Sequence, residues 1–433
     1  MAQCISELCD DIGLQIDIQN ESHNGVDQAN VLVRPIRSQP DNEFLLQTHL
    51  DTCDPGSYAL WTKTGANPFN CSIYKDTIFG LGVANAKLDF LCKLQAIREI
   101  IKTVPRDFSK ATSWKLPFVL AGTFGEETGM AGAIRLIRKK KISAKMALVG
   151  EPTDLRPVWA GKGVVTVEIE VPFSEAEIDY RIQHDNESGT TTQSRVFVGK
   201  AAHSSVPQLG DNAITKMLDY LGRLPDGIAV MEMEGGTSAT TIPAHAVLEF
   251  DTVGTLRDSI AKKISSIEQA VRDVEADFRN HPDSNFVPSE PTLNIGLIRS
   301  YEDHVKLSGC CRFPPSVSHE MYENWMDMIR KACAQVGATF RVTDYKQPFK
   351  TSVESELFKI CREELLKNGL EGNGATQSVA NEANVFSRFG IECVVIGPGV
   401  GFGNSHAPNE YVKMEQLNKA IQFYRSVLER ICL

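Results

Sequence analysis

The chain has 433 residues, of which 42% are hydrophobic, and a formal net charge of -10 at pH 7. A chain of this length and apolar content is expected to fold as two or three domains with sizeable cores. The acidic balance argues against a nucleic-acid partner or an anionic membrane surface, because both favour a basic protein face. We therefore expect a small-molecule substrate.

The sequence carries no signal for a membrane or for secretion. No stretch approaches the roughly 20 apolar residues of a membrane span, and the first residues lack a basic segment followed by an apolar core. We expect a cytoplasmic protein. The 11 cysteines are scattered without a CxxC pair, so we interpret them as reduced, mostly buried thiols rather than zinc ligands.

The first part of the chain has the pattern of an α/β domain. Apolar runs typical of strands alternate with helical stretches, which predicts a mixed, mostly parallel sheet covered by helices. In chain order the predicted elements are a strand at 43–51, a helix at 86–104, a strand at 116–126, a helix at 131–141 and a strand at 144–152. After the middle of the chain the same pattern returns, with a helix at 355–369, a strand at 392–399 and a helix at 414–431.

The middle of the chain, residues 159–345, has a different pattern. Alternating strands such as 163–171 mix with helices such as 265–278, which indicates a separate α+β domain. The sequence therefore predicts an α/β domain made of residues 1–158 and 346–433 and interrupted by an inserted α+β domain.

Several predicted strands end in a side chain that can bind a metal ion. These side chains are His49 and Asp51, Glu126 and Glu127, Glu151, and His406 after a glycine-rich loop. Each is a weak signal alone, because an HxD pair, two adjacent glutamates or a single histidine usually belongs to an ordinary turn or surface. In open α/β sheets, however, ligands bind beyond the carboxyl ends of the strands, so these side chains can converge on one site.

The motifs HLD, GLGVANAK, GEETG, VGEP, GKAAHSSVPQLGDNAI and SHAPNEYV occur in this order along the chain. In this order they resemble a zinc metallopeptidase and deacylase family across nearly the whole sequence. The family includes acetylornithine deacetylase, succinyl-diaminopimelate desuccinylase, aminoacylase, glutamate carboxypeptidase and several dipeptidases. The resemblance implies a metal-binding catalytic domain with an inserted lid of the dimerisation type, which hydrolyses an amide bond in a small substrate with a free carboxylate.

The resemblance also implies roles for the strand-end residues. His49 and Glu151 would hold one metal ion, and Glu127 and His406 the other. Asp51 would fix the tautomer of His49 through a hydrogen bond to its ring. Glu126 would be a catalytic residue and act as the general base. The ligands suit one or two zinc ions, with cobalt or manganese as substitutes.

Within the inserted domain, the resemblance implies three further residues. His203 matches the family histidine that stabilises the oxyanion, although a histidine followed by two serines is, taken alone, typical of a capped turn. Arg312 stands where the family arginine pairs with the substrate carboxylate, but Cys310 replaces the aspartate usual two positions earlier. Asn294 is the candidate for another substrate contact, because Thr240 replaces the asparagine expected in that segment.

The GLGVANAK motif departs from the family pattern. Asn85 occupies the position of the aspartate that bridges both metal ions, and the glycines expected at Leu88 and Asp89 are missing. An asparagine amide contributes at most one oxygen ligand and cannot bridge two cations. If two ions bind, another group such as Asp89 has to bridge them. A natural single-metal enzyme, a binding protein that has lost catalysis and an engineered substitution all fit this observation.

The inserted domain is longer than the compact lid of the family, because GGTSATTIP (235–243) lies well before TLNIGLI (292–298). This length resembles the monomeric dipeptidases, so we expect a monomer rather than a homodimer. His49 comes early in the chain, which leaves open whether the native start is complete.

The expected function is hydrolysis of a small N-acyl amino acid, as in acetylornithine deacetylase. The alternatives are a dipeptidase or carboxypeptidase of the same family, or a catalytically impaired binding protein on the same fold.

Overall fold

The computed structural model describes residues 2–10, 12–23, 25–38, 41–103, 109–186, 192–254, 256 and 259–433. The chain forms two compact units. Unit 1 consists of Met1–Gly161, Phe349–Gln377 and Asn381–Leu433, and unit 2 consists of Lys162–Pro348 and Ser378–Ala380.

The helices and strands of unit 1 come from two parts of the chain, and those of unit 2 come from the part between them. The first part of unit 1 contains α1 Ala2–Asp10, β1 Gln15–His23, β2 Val26–Arg34, β3 Glu43–His49, β4 Ser72–Tyr74, β5 Thr77–Phe79, α2 Lys87–Thr103, β6 Phe118–Thr123, α3 Ala131–Arg138, β7 Ala144–Gly150 and β8 Val158–Gly161. Unit 2 contains β9 Gly163–Pro172, α4 Glu175–Asn186, β10 Gln193–Val198, β11 Ala202–His203, α5 Ala213–Leu221, β12 Ile228–Gly236, β13 Thr241–Ile242, β14 His245–Thr252, α6 Ile260–Phe278, β15 Thr292–Ser300, β16 His304–Phe313, α7 His319–Gln335 and β17 Thr339–Lys346. The remainder of unit 1 contains β18 Phe349–Lys350, α8 Glu356–Lys367, β19 Ala375–Gln377, α9 Glu382–Arg388, β20 Glu392–Val395, β21 Tyr411–Lys413 and α10 Met414–Cys432.

The main sheet of unit 1 is mixed, with parallel strands at its centre. Its strand order is β1-β2-β6-β3-β7-β20-β8-β18, and β19 pairs with β8. The central strands β6, β3, β7 and β20 are parallel, whereas β2 and β8 join them antiparallel. Every residue of β3 and β6 is buried, as expected for parallel strands covered on both faces. The predicted α/β fold class is confirmed.

Unit 2 is an antiparallel sheet with helices. Its strands follow the order β10-β14-β12-β15-β16-β9-β17. Burial alternates along β15, which is typical of a sheet with one face in a core and one in solvent. The apolar sides of α5, α6 and α7 supply that core, with residues such as Leu218, Ile267 and Trp325. None of the helices in the described part of the chain combines the length and apolar character of a membrane span.

A buried ion pair lies in the core of unit 1, where α2 passes beneath the sheet. Lys93 Nζ is 2.7 Å from Asp89 Oδ2 and also donates to Thr48 Oγ1 at 2.9 Å. The hydroxyl groups of Thr48 and Tyr424 donate hydrogen bonds to the two oxygens of the Asp89 carboxylate. Asp89 and Lys93 are 1% and 0% exposed. Asp89 is therefore held by core donors, which contradicts its use as a substitute bridge between two metal ions.

This ion pair predicts a strong coupling between two substitutions. Lys93→Met leaves the Asp89 carboxylate buried without its cation, so the free energy of unfolding should fall by about 3 to 5 kcal/mol. Asp89→Asn should also destabilise the protein, because it leaves the Lys93 ammonium uncompensated. In the double variant neither charge remains, so its loss should be clearly smaller than the sum of the two single losses. Urea unfolding of all four proteins measures this, and additive losses would contradict the structure.

Candidate metal centre

The candidate site lies at the carboxyl ends of the parallel strands of unit 1. His49 closes β3, the Glu126–Glu127 turn follows β6, and Glu151 follows β7. Residue 150 at the end of β7 has to be glycine, because a Cβ there would lie 2.0 Å from an Asp89 oxygen. Parallel neighbours end at the same edge of a sheet, and this pairing brings the predicted side chains together.

His49 is fully buried and has a partner near each ring nitrogen. Its Nε2 is 3.2 Å from Asn85 Oδ1 and its Nδ1 is 3.5 Å from Asp51 Oδ1. Burial alone would lower the pKa of His49, but the contact with Asp51 and the charges of Glu126 and Glu151 outweigh it and hold the pKa well above its usual value. The ring is thus surrounded by negative charge.

Asp51 connects this histidine to the next strand end. Its two carboxylate oxygens accept hydrogen bonds from the backbone N–H groups of Glu126 and Glu127 at 3.2 and 3.1 Å. Burial would raise the pKa of Asp51, but His49 and these N–H groups together lower it below its ordinary value. Asp51 therefore fixes both His49 and the turn that carries the two glutamates.

Asn85 stands between the two expected ligand pairs. Its Oδ1 faces His49, whereas its Nδ2 is 3.1 Å from Glu127 Oε1 and 3.1 Å from His406 Nε2. His406 Nε2 and Glu127 Oε1 are 2.8 Å apart. The asparagine thus turns its oxygen towards His49 and its NH₂ donor towards Glu127 and His406.

Glu410 holds the Asn85 loop in place. Its carboxylate accepts the backbone N–H groups of Gly82, Ala84 and Asn85 at 2.9, 2.8 and 2.8 Å. Glu410 is 2% exposed, and burial raises its pKa, although these hydrogen bonds oppose the rise. Sequence reasoning did not assign a role to this residue, although it lies in the SHAPNEYV motif.

Carboxylates are concentrated at this edge of the sheet. Burial raises the pKa of Glu126 to about 7, with His49 opposing and Glu127 adding to the rise. Burial and the charge of Glu126 also raise the pKa of Glu151 well above its usual value. Such a cluster of like charges is relieved when a cation binds.

Two groups of side chains in the described part of the chain can close on a cation. One consists of His49, Glu126 and Glu127, and the other of Cys53, Glu127 and His406. Within each group the potential ligand atoms lie within 4.8 Å of one another. Imidazole, carboxylate and thiol donors suit zinc, so the residues fit the expected metal. Glu151 belongs to neither group, although its charge acts on His49.

Glu382, at the first turn of α9, is a buried carboxylate that sequence reasoning missed. It accepts hydrogen bonds from Thr123 Oγ1 at 2.7 Å and from Gln47 Nε2 on the neighbouring strands. Its Oε1 has no hydrogen-bond partner among the described residues. Burial, followed by the charge of Glu126, raises the pKa of Glu382 to about 8. The sequence around Glu382 is that of an ordinary helix, so it does not indicate that this carboxylate is buried near the candidate metal centre.

His203 and Arg312, which were predicted from the family motifs, lie in unit 2. His203 Nδ1 is 2.7 Å from Ser205 Oγ. The adjacent Ser204 accepts a hydrogen bond from Arg312 Nε at 3.1 Å and also contacts Cys310. Arg312 is 4% exposed, and burial lowers its pKa. Within unit 2, therefore, the KAAHSSVP motif and the candidate carboxylate-binding arginine share one neighbourhood.

Asn294, also in unit 2, is engaged at both ends of its amide. Its Nδ2 donates to the backbone oxygens of Ala239 and Thr241 at 2.8 and 3.1 Å, and its Oδ1 accepts from Asn212 at 3.0 Å. Asn294 is 6% exposed. It anchors the segment before β13, and its contact with substrate stays a prediction.

Histidines and carboxylates at the ends of parallel strands in an α/β sheet are the arrangement expected of a metal-dependent hydrolase. The particular family follows from the sequence as a whole. The chain belongs to peptidase family M20/M25/M40, because the sequence model of this family matches residues 45–430. The resemblance stated from the order of the motifs is confirmed, and the chain is a metal-dependent peptidase or deacylase of this family.

Individual relatives show how far the similarity extends. An acetylornithine deacetylase of Klebsiella pneumoniae (strain 342) is 24% identical over 401 residues, which cover 90% of this chain and 80% of the relative. One from Photorhabdus laumondii is 30% identical over 233 residues, which cover 54% of this chain and half of the relative. The crystal structure of aminoacylhistidine dipeptidase from Vibrio alginolyticus has a TM-score of 0.62 at 16% identity, covering 99% of this chain and 92% of that one. That likeness shows the fold.

The buried Glu382 carboxyl predicts a pH-dependent stability. Because its pKa in the folded protein is raised to about 8, its contribution to stability is full below about pH 4.3, the unfolded pKa, and is lost as pH rises through 8. Glu382→Gln removes this loss. In protein stripped of metal with a chelator, the melting temperature of Glu382→Gln minus that of the wild type should therefore increase from pH 6 to pH 9. The exposed Glu371→Gln is the control, and a difference that does not change with pH would rule out the buried ionisation.

Proposed function

We propose that the chain hydrolyses the amide bond of a small N-acyl amino acid, as a deacylase of the acetylornithine deacetylase type. The observation that carries the proposal is the position of Glu126, whose carboxylate lies within 4.8 Å of candidate ligand atoms of His49 and Glu127. A base next to a metal site is the arrangement that metal-assisted hydrolysis requires. The 24% sequence identity to an acetylornithine deacetylase, over 90% of the chain, supports the substrate class.

We propose zinc as the metal, with cobalt or manganese as substitutes. His49 and Glu151 would hold one ion and Glu127 and His406 another, with Asn85 limiting the occupancy of the pair. When bound, the metal supplies Lewis-acid polarisation of the scissile carbonyl and acidifies water to a pKa of about 7.

Glu126 does the proton transfer in this proposal. It accepts a proton from the attacking water and delivers it to the nitrogen of the leaving amine. Its pKa of about 7 suits both directions of transfer near neutral pH, because a general base works best when its pKa is close to the working pH. Asp51 holds Glu126 and Glu127 by their backbone N–H groups, so the base keeps its orientation.

We further propose that His203 stabilises the oxyanion and that Arg312 binds the substrate carboxylate. None of the hydrogen bonds described for Arg312 goes to a carboxylate; its acceptors are Ser204 Oγ and the backbone oxygen of Ser378. A buried guanidinium without an anionic partner favours binding of a carboxylate. We also propose that the enzyme works as a cytoplasmic monomer.

A dipeptidase is the second candidate, and the enlarged inserted domain favours it. The similar fold of an aminoacylhistidine dipeptidase is compatible with either substrate class. Turnover of a panel of N-acetyl amino acids and dipeptides, with added zinc or cobalt, separates the two. If the protein binds these compounds but hydrolyses none of them, it is instead a catalytically impaired binding protein. The neutral Asn85 at the position of a carboxylate is the reason for this alternative.

The roles of the two adjacent glutamates can be separated by substitution. Glu126→Gln keeps the shape of the side chain but removes the proton acceptor, so kcat should fall by about 10² or more while metal content stays unchanged. Glu127→Gln should lower both metal content and kcat, because it weakens a ligand. Elemental analysis and steady-state kinetics on the same preparations measure both quantities. Activity retained by Glu126→Gln would assign the base to another residue.

Asn85 predicts the metal stoichiometry. A carboxylate between two cations offsets their repulsion, whereas a neutral amide does not. The wild type should therefore hold one tightly bound ion, and Asn85→Asp should raise the stoichiometry towards two and increase kcat. Isothermal titration with zinc, with circular dichroism as the check on folding, measures the change. Two tight ions in the wild type, with no gain of activity in Asn85→Asp, would refute the role given to this position.

A further inference from the structure

Cys53 lies in the loop after β3, beside the proposed metal ligands. Its sulfur, a carboxylate oxygen of Glu127 and a ring nitrogen of His406 lie within 4.8 Å of one another. Three atoms bound to one tetrahedral zinc ion at about 2.0 to 2.3 Å would be separated by roughly 3.3 to 3.8 Å. Small side-chain adjustments are therefore enough to close these three donors on one ion.

We propose that Cys53 is the third protein ligand of a single zinc ion held by Glu127 and His406. The inference rests on the proposed metal-dependent function. It adds which of the two proposed ion positions is occupied when Asn85 stands in place of the bridging carboxylate. A cysteine, a histidine and a carboxylate leave one of four tetrahedral positions open, which is the pattern of a catalytic rather than a structural zinc site.

The charge balance favours this ligand set. Asn85 is neutral and turns its NH₂ group towards Glu127 and His406, so without Cys53 this position has one carboxylate for a divalent cation. A thiolate adds a second negative charge at bonding distance, where the Coulomb energy is largest. Cys53 thus supplies to this position the charge that the asparagine does not.

The other candidate group is a poorer place for a single ion. It consists of His49, Glu126 and Glu127, and an ion there would use the proposed general base as a ligand. An ion bound by Cys53, Glu127 and His406 leaves the carboxylate of Glu126 available for proton transfer. Of these two groups, only the group of Cys53, Glu127 and His406 can bind an ion without using Glu126 as a ligand.

Metal binding at Cys53 requires the loss of the thiol proton. Burial, followed by the charges of Glu127 and Glu410, raises the pKa of Cys53 to about 12. A bound cation reverses this effect, because a thiol that coordinates a divalent metal is deprotonated. A thiolate ligand also selects zinc and cobalt over manganese and magnesium, which prefer oxygen donors.

Cobalt substitution tests the proposal through a signal that only a thiolate ligand produces. The full-length protein, loaded with one equivalent of Co²⁺, should show a near-ultraviolet thiolate-to-cobalt charge-transfer band. Cys53→Ser and Cys53→Val should lose this band and bind zinc at least about 10-fold to 100-fold more weakly, as even the loss of an outer partner of a ligand does. The control is Cys71→Ser, because Cys71 is exposed and belongs to neither ligand group; it should keep both the band and the affinity.

The wild-type spectrum can overturn the proposal even if the Cys53 variants do not fold. Wild-type protein that binds one Co²⁺ without the band, a band that persists in Cys53→Ser, or failure to bind either metal would overturn the proposal. Hydrolysis without the band would reject the ligand and leave the proposed function intact. The band without turnover of any substrate in the panel would support the ligand and reject the proposed function.

Discussion

The parallel pairing of β6, β3, β7 and β20 is the constraint on which the rest of unit 1 depends. It aligns the ends of strands that are far apart in the chain and so brings His49, the Glu126–Glu127 turn and Glu151 to one edge of a buried sheet. The carboxylates gathered there are poorly hydrated and repel one another, as the raised pKa values of Glu126 and Glu151 show. A cation bound at this edge would reduce the repulsion between these carboxylates, so the arrangement favours cation binding.

Two departures from the family motifs, at Asn85 and Asp89, and the thiol of Cys53 each have a different physical consequence near this edge. Asn85 contacts His49, Glu127 and His406 with a neutral amide instead of a charged carboxylate. Asp89 adds a carboxylate that Lys93, Thr48 and Tyr424 neutralise inside the core, so it strengthens packing instead of replacing the bridge. Cys53 adds a potential anionic ligand on the side where Asn85 presents its NH₂ group.

Unit 2 contains the arginine that we propose as the ligand of the substrate carboxylate. Its antiparallel sheet places Arg312 directly opposite Thr292 on β15, and the arginine donates a hydrogen bond to Ser204, which follows His203 at the end of β11. Arg312 is a buried cation whose described hydrogen bonds go to neutral acceptors, whereas the buried Lys93 in unit 1 is paired with Asp89. The contrast supports a binding role for Arg312 and a structural one for Lys93.

The sequence by itself determined the fold class, the alternation of helices and strands, and the family. These properties depend on local periodicity and on the order of motifs, both of which can be recognised without coordinates. Only the tertiary structure revealed that Glu410 holds the Asn85 loop, that the Glu382 carboxylate is buried against Gln47 and Thr123, and that Asp89 belongs to a core ion pair. It also set Cys53 apart from the other cysteines, most of which are buried as expected. The reason is that these roles depend on which donors and charges approach each side chain across the fold, and sequence spacing does not specify such contacts.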